Sequence, residues 1–237
     1  MDVKEEDILG DRVGEHWYYA AKAAALRAYV ADAPIRRIVD VGAGSGFFSK
    51  HLLSSTVAQE AICVDLGYRD DRDEHVSGKA VRYRRHIGPV EADLVLMMDV
   101  LEHVDADTAL LSEYVELVPS GARFFISVPA FEFLWSEHDV FLEHKRRYTL
   151  AGLERVVAAA GMTIERSSYF YGAVFPLAAA QRLLSRSGGR SGSPRSQLKH
   201  HWPITNLILR RLCAIDLLFL RFNRVAGLSA LCLARKP

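Results

Sequence analysis

The apolar positions of this chain gather into short, nearly continuous runs separated by stretches with helical spacing. Ile38-Val39-Asp40-Val41 is β-branched almost throughout, as expected of a strand covered on both faces. Ala61 to Val64 and Asp93-Leu94-Val95-Leu96-Met97-Met98-Asp99 repeat that pattern, and Ala80 to Arg84, Arg123 to Val128, Met162 to Tyr171 and Gly227 to Lys236 read as further strands, seven in all. Between them, Phe47 to Ser55, Asp107 to Leu117 and Thr149 to Ala160 read as helices, the last capped by Thr149 and stopped at Gly161. Gly14 to Ala31 forms a helix ahead of the first strand, ended by Ala33-Pro34. Arg69 to His75 is highly charged and reads as an exposed loop or helix start. Strands alternating with helices predict an α/β fold, a doubly wound and mostly parallel seven-stranded sheet.

The pattern changes before the last strand. An apolar helix, Ala173 to Leu184, is followed by Ser185 to Ser196, rich in Gly, Ser and Arg, and then by a second helix, Thr205 to Val225. The expectation is one domain over residues 1–237, with a helical cap inserted at 173–226 and a flexible linker at 185–200. Neither helix spans a membrane: the first is too short, and the second carries Arg210, Arg211, Asp216, Arg221 and Arg224 within the roughly 20 residues a span requires. Cap helices with snorkelling arginines and an interfacial helix both explain the second pattern.

Charge sharpens this choice. The formal net charge of +1 divides into 11 Lys or Arg against one acid from Arg182 onward (+10), and 19 bases against 28 acids before it (−9). Such asymmetry suits an anionic partner, a membrane surface or a phosphorylated carrier, or else a solvated helix face; nucleic acid is not expected. Cys63, Cys213 and Cys232 are widely spaced, with no C-x-x-C pair, and the acidic N-terminal residues lack the apolar region of a signal peptide. The expected location is cytoplasmic, possible contact with the membrane periphery included.

The chemistry begins after the first strand. Gly42, Gly44 and Gly46 stand at every second position and are followed by the bulky Phe47, whereas a dinucleotide fingerprint needs G-x-G-x-x-G. That spacing disfavours a pyrophosphate cradle and, with it, a nicotinamide oxidoreductase. Asp40 places a carboxylate before the turn, and Asp65 ends the second strand, where an acid holds both hydroxyls of a ribose. A ligand with an amino group and a ribose but no phosphate fits S-adenosylmethionine. On Asp40-Val-Gly-Ala-Gly-Ser-Gly46 and Asp65 the chain resembles the class I S-adenosylmethionine-dependent methyltransferases. The resemblance implies a Rossmann-like methyltransferase fold, with Asp40, Gly42, Gly44, Gly46, Phe47, Asp65 and Leu66 at the cofactor. It implies adenine contacts from His86 and Ile87, and contacts to the methionine part from Asp99 and Val100. It also makes residues 1–34 a helical lid, with His16, Trp17 and Tyr18 either over the cofactor or, the favoured reading, in packing.

Two further segments carry candidate chemistry. Asp99-Val-Leu-Glu102-His103 resembles the metal-binding segment of the O-methyltransferases of ubiquinone biosynthesis, which implies Mg²⁺ on Asp99, Glu102 and His103; similar segments also occur without metal, the acid touching cofactor and the histidine fixing the loop. Downstream lies Pro129 to Asp139, with Trp135, His138 and Asp139, followed by His144-Lys-Arg146-Arg147-Tyr148-Thr149. A loop after a strand of such a sheet faces the ligand crevice. His138 or His144 can take a proton from an acceptor, with Asp139 orienting the imidazole beside it, and Arg146 and Arg147 can clamp an anionic group. Trp135 and Tyr148 complete the candidate substrate surface, and the alternative is that His144 and Arg147 pin the loop. This stretch resembles small-molecule methyltransferases of bacterial sugar and lipid-linked biosynthesis. The expected activity is methyl transfer to a hydroxyl or carboxylate of a small molecule, a sugar, natural product or lipid-linked intermediate; N-methylation and a non-catalytic peripheral protein are the alternatives.

Overall fold

A computed structural model describes residues 10–187 and 202–237, so most of the linker expected at 185–200 lies outside the described residues. The strands are β1 (Arg37–Val41), β2 (Glu60–Val64), β3 (Arg72–Val76), β4 (Lys79–Arg84), β5 (Leu94–Met98), β6 (Arg123–Pro129), β7 (Thr163–Phe170) and β8 (Ser229–Arg235). They form one sheet in the order β3-β4-β2-β1-β5-β6-β8-β7. From β4 to β6 neighbours are parallel, while β3 runs antiparallel to β4, and β8 antiparallel to both β6 and β7.

The sheet therefore has eight strands, not seven. The extra one is the charged segment expected to be loop or helix start. Ser77 (φ 53°) and Gly78 (φ 77°) are both left-handed, which makes a tight hairpin turn. Its charges are matched across the pair rather than buried: Arg84 bonds Asp73 at 2.7 Å, Tyr83 donates to Glu74 at 2.7 Å, and Arg72 lies 3.8 Å from the centre of the Tyr83 ring. A charged strand is tolerable at a sheet edge.

Helices cover both faces, which is why the central runs are apolar without alternation. Leu94, Leu96 and Met98 of β5 join one core with the helices α1 (Trp17–Val30) and α2 (Phe47–Ser55). Val95 and Met97 join the opposite core with α3 (Asp107–Leu117) and, after the short α4 (Glu137–Phe141), α5 (Leu150–Ala159). Between β7 and β8 lie two helices, α6 (Phe175–Ser187) and α7 (Pro203–Phe219). α7 packs along α1, where Trp17 N–H donates to Asn206 at 2.8 Å and Asn206 donates to the Glu15 carbonyl at 2.9 Å. Asp216 accepts from Ala173 N–H at 3.0 Å and so ties α7 to the entry of α6. Among the described residues no helix is long and apolar enough to cross a membrane.

Candidate active site

β1 delivers the chain to a turn in which Gly42, Gly44 and Gly46 have φ of 63°, 54° and 74°, a region that L side chains adopt only with strain. Space excludes a side chain as well: a Cβ on Gly42 would lie 2.8 Å from Val100, and one on Gly46 2.9 Å from Cys63. Asp65 sits at the rim, its two oxygens accepting from Gly44 N–H (3.1 Å) and Gly67 N–H (2.8 Å), with Leu66 exposed beside it. Asp40 is buried under the turn and accepts from Ser49 at 2.8 Å. Two tyrosines brace the turn from outside: Tyr68 donates to the Gly44 carbonyl at 2.6 Å, and the Tyr83 hydroxyl, whose proton goes to Glu74, lies 3.1 Å from the Ser45 carbonyl. His86 is exposed and Ile87 half-buried in the loop that leaves β4.

Asp99 ends β5 in the left-handed region (φ 55°), with its N–H donating to the Ser127 carbonyl at 2.9 Å. One carboxylate oxygen accepts from the Ser127 hydroxyl at 3.0 Å, and the other pairs with the Lys22 ammonium. Lys22 comes from α1, is fully buried, and also donates to Tyr18 at 2.7 Å. Burial alone would lower the Lys22 pKa, but Asp99 and Tyr18 raise it overall; burial would likewise raise that of Asp99, and Lys22 brings it below the usual carboxylate range. Both groups are charged at neutral pH. Tyr18 stacks on Tyr171 with ring centres 5.0 Å apart, which closes α1 over this end of the sheet.

One turn on, Glu102 is buried and neither carboxylate oxygen has a hydrogen-bond partner among the described residues. Burial and the Asp99 charge push its pKa well above the ordinary value. His103 is brought down to about 4, by burial first and then by His144, so its ring is neutral at pH 7. His144 arrives from the later loop. Glu143 (φ 60°) reverses the chain there, His144 N–H donates to the Asp139 carbonyl, and the His144 Nδ1 lies 2.9 Å from an Asp139 carboxylate oxygen. Asp139 is fully buried and also accepts from Ser136 N–H at 2.8 Å and from both edges of the Arg147 fork, at 2.7 and 3.0 Å. Burial opposes its ionisation, but His144 and Arg147 outweigh that and hold it far below the usual range. A carboxylate can only accept, so the nitrogen that donates to it is Nδ1, and in the neutral form of the ring the lone pair is then on Nε2. Asp99, Glu102, His103, His138 and His144 share the wall of a cavity of about 320 Å³ with Trp17 and Tyr18 of α1. Leu177, Ala178, Gln181 and Arg182 of α6 and Leu209 of α7 form another part of that wall.

A family model described as a methyltransferase domain matches residues 14–167. The chain belongs to this methyltransferase family. No curated protein matches it in sequence. Among solved structures, phosphoethanolamine N-methyltransferase 2 of Haemonchus contortus with S-adenosyl-L-methionine has a TM-score of 0.58 at 15% identity, over 98% of this chain and 56% of that one. The [4+2]-cyclase SpnF has a TM-score of 0.57 at 15% identity (93% and 82% of the two chains), and the mitomycin 7-O-methyltransferase MmcR 0.52 at 12% (92% and 54%). At these identities the likeness is one of fold. It is shared by proteins that methylate nitrogen, methylate oxygen or cyclise, so it does not select an acceptor.

The methyltransferase is S-adenosylmethionine-dependent, and the turn fits that cofactor. It offers backbone stripped of Cβ, with the Asp65 carboxylate at the rim and the exposed Leu66 next to it.

Several expected contacts are corrected by the geometry. Asp139 bonds His144, not the adjacent His138, whose N–H instead caps on Ser136 at 3.3 Å. Arg147 lines the cavity, but its guanidinium is already engaged by Asp139 and the Ala130 carbonyl (3.0 Å). Arg146 bonds the carbonyls of Val104 (3.0 Å) and Asp105 (2.8 Å), and Tyr148 is buried with its hydroxyl on Asp107 at 2.8 Å. Arg146 and Tyr148 tie the loop to the segment after β5, and Arg147 ties it to the segment after β6. Trp135 is half-buried and is not part of the cavity wall. The possible metal ligands change as well. Lys22 and Ser127 occupy Asp99, and the donor atoms that lie within 4.8 Å of one another are those of Glu102, His103 and His144. Lys22 was not singled out from the sequence, although it falls on the stripe of Tyr19, Leu26 and Tyr29, where a lysine is out of place.

Proposed function

We propose that this methyltransferase alkylates a hydroxyl or carboxylate of a small molecule seated in the cavity between α1, α6 and the loop of His138 and His144. The bound cofactor supplies an electrophilic methyl group on a sulfonium. The chain's part is to hold the acceptor oxygen in line and, for a hydroxyl, to remove its proton. The observation that carries this reading is the buried Asp139 on His144 Nδ1, which fixes the ring and leaves Nε2 as the proton acceptor on the cavity wall. An imidazolium formed there is stabilised by the same carboxylate. Leu134, Leu142, Leu177 and Leu209 give the cavity an apolar side, which suits a sugar, natural-product or lipid-linked acceptor with an apolar portion. His144→Ala is expected to lower kcat by roughly 10² or more, the size of a general-base effect, with cofactor affinity near wild type; His138→Ala should do less. Normal turnover by both variants would mean that the acceptor is already ionised, as a carboxylate is.

A second reading rests on the unpartnered Glu102. A cation held by Glu102, His103 and His144 would offset the burial of that carboxylate and lower the acceptor's pKa. One carboxylate and two imidazoles suit a zinc-like ion better than Mg²⁺, which prefers oxygen ligands. Turnover that is lost on chelation and restored by Zn²⁺ supports it; turnover that survives thorough chelation leaves His144 as the base.

A further inference from the structure

We propose that the outward face of α7 docks on an anionic phospholipid surface. The helix is apolar on two opposite sides. Leu209, Cys213, Leu217 and Leu220 recur at steps of three or four residues and pack into the core. Half a turn away at 3.6 residues per turn, Ile204, Ile208, Ile215, Leu218, Phe219 and, in the turn that follows, Phe222 are each more than half exposed. A surface helix needs one apolar stripe, and a second, solvent-facing one of this length marks a contact surface.

Charge indicates what is contacted. Arg210, Arg211 and Arg221 are exposed and pair with no acid among the described residues. Asp216, the only acid of the helix, is turned inward onto Ala173 N–H, and Arg224 is spent on Glu154 and Ser167. The face thus presents large apolar groups and positive charge with no negative charge. A second copy of this chain docked about a twofold axis would bring the same three arginines against themselves, which is repulsive. An anionic bilayer matches both features, the apolar side chains entering the headgroup boundary and the arginines meeting phosphate. The helix cannot cross the bilayer, so it lies in its plane. The opposite, inward side of the same helix borders the candidate site: Leu209 lines the cavity, and Asp216 fixes the start of α6, which forms another part of its wall. The docking is independent of which acceptor is methylated.

The test is flotation of the full-length protein with vesicles of phosphatidylcholine alone or with one part in three phosphatidylglycerol. Binding to the anionic vesicles is expected to be at least about tenfold tighter, and weaker in high salt. The double substitution Arg210→Gln/Arg211→Gln should reduce anionic binding by roughly 25-fold, about fivefold for each arginine. Phe219→Ser/Phe222→Ser should reduce it by about tenfold or more, with circular dichroism and the thermal midpoint unchanged in both variants. The proposal is overturned by an absence of vesicle binding, by equal binding to both compositions, or by binding that neither pair of substitutions weakens. A protein that is dimeric by light scattering, loses dimerisation in Phe219→Ser/Phe222→Ser and ignores vesicles would assign the face to a second copy instead.

Discussion

Asp139→Asn separates a positioning role from a structural one. The carboxylate accepts from the His144 ring, from two edges of Arg147, and from Ser136, all at 2.7 to 3.0 Å and out of solvent. An amide offers one accepting oxygen and turns an NH₂ group toward Arg147, a guanidinium that is itself 8% exposed. Removing one partner of a buried ion pair costs about 3–5 kcal/mol. For a domain of this size that is roughly 6–20 °C in Tm, at about 2–4 °C per kcal/mol. Because Asp139 is held below its ordinary pKa, its stabilisation is fully present above the ordinary carboxylate range and is lost only as pH falls through the lower, folded value. The Tm difference between wild type and variant should therefore be constant at neutral pH and shrink in acid. The His144 ring, no longer held in one tautomer, should lower kcat by about 10² to 10⁴ when assayed well below the variant's midpoint. Arg147→Met removes the cation and keeps the acid, so it should cost similar stability while kcat stays within about tenfold. If Asp139→Asn loses no more kcat than Arg147→Met, the acid acts only through loop stability and the base assignment to His144 fails.

Two further outcomes follow from the other acids. Asp65→Ala should weaken S-adenosylmethionine binding by at least tenfold, about 1.4 kcal/mol, in calorimetry, and unchanged affinity would remove Asp65 from the ribose. Lys22→Met leaves Asp99 without its cation and should cost about 3 kcal/mol in chemical unfolding at neutral pH, the low end for a buried pair because Asp99 opens partly to the cavity. Lys22→Met/Asp99→Asn should recover most of that loss, and a neutral single variant would show that the pair does not form in solution. The raised pKa of Lys22 keeps this stabilisation intact at neutral pH and confines its loss to pH above the ordinary lysine range.

What was legible in the sequence is what local physics fixes. The glycines of the turn are required by positive φ and by the proximity of Val100 and Cys63, so their spacing identified the turn and its ligand class. The central runs are apolar because helices cover both sides of the sheet, and that too is a local pattern. Strand β3 was obscured because its charges are satisfied by a neighbouring strand, although Ser77-Gly78 carried the turn signal. The pairing of Asp139 depended on the reversal at Glu143, which brings His144 back over a residue five positions earlier and leaves His138 turned elsewhere. The arginine forks were misjudged for a similar reason. Which backbone carbonyls lie within reach is decided by distant segments, the loop after β5 for Arg146 and the residue after β6 for Arg147.

The charge pattern that results gives the lysine of α1 its role in the site. Asp99 and Asp139 are each matched by one buried cation, Lys22 and Arg147, so two fixed acids add little net field to the cavity wall. Neither Glu102 oxygen has a hydrogen-bond partner among the described residues, and burial beside the Asp99 charge pushes its pKa well up. Were Lys22 absent, Asp99 and Glu102 would compete to ionise in one poorly solvated space, and the group that shed its charge would no longer be fixed in advance. Lys22 settles that competition in favour of Asp99, and it can do so only while α1 lies over the sheet, with Tyr18 stacked on Tyr171.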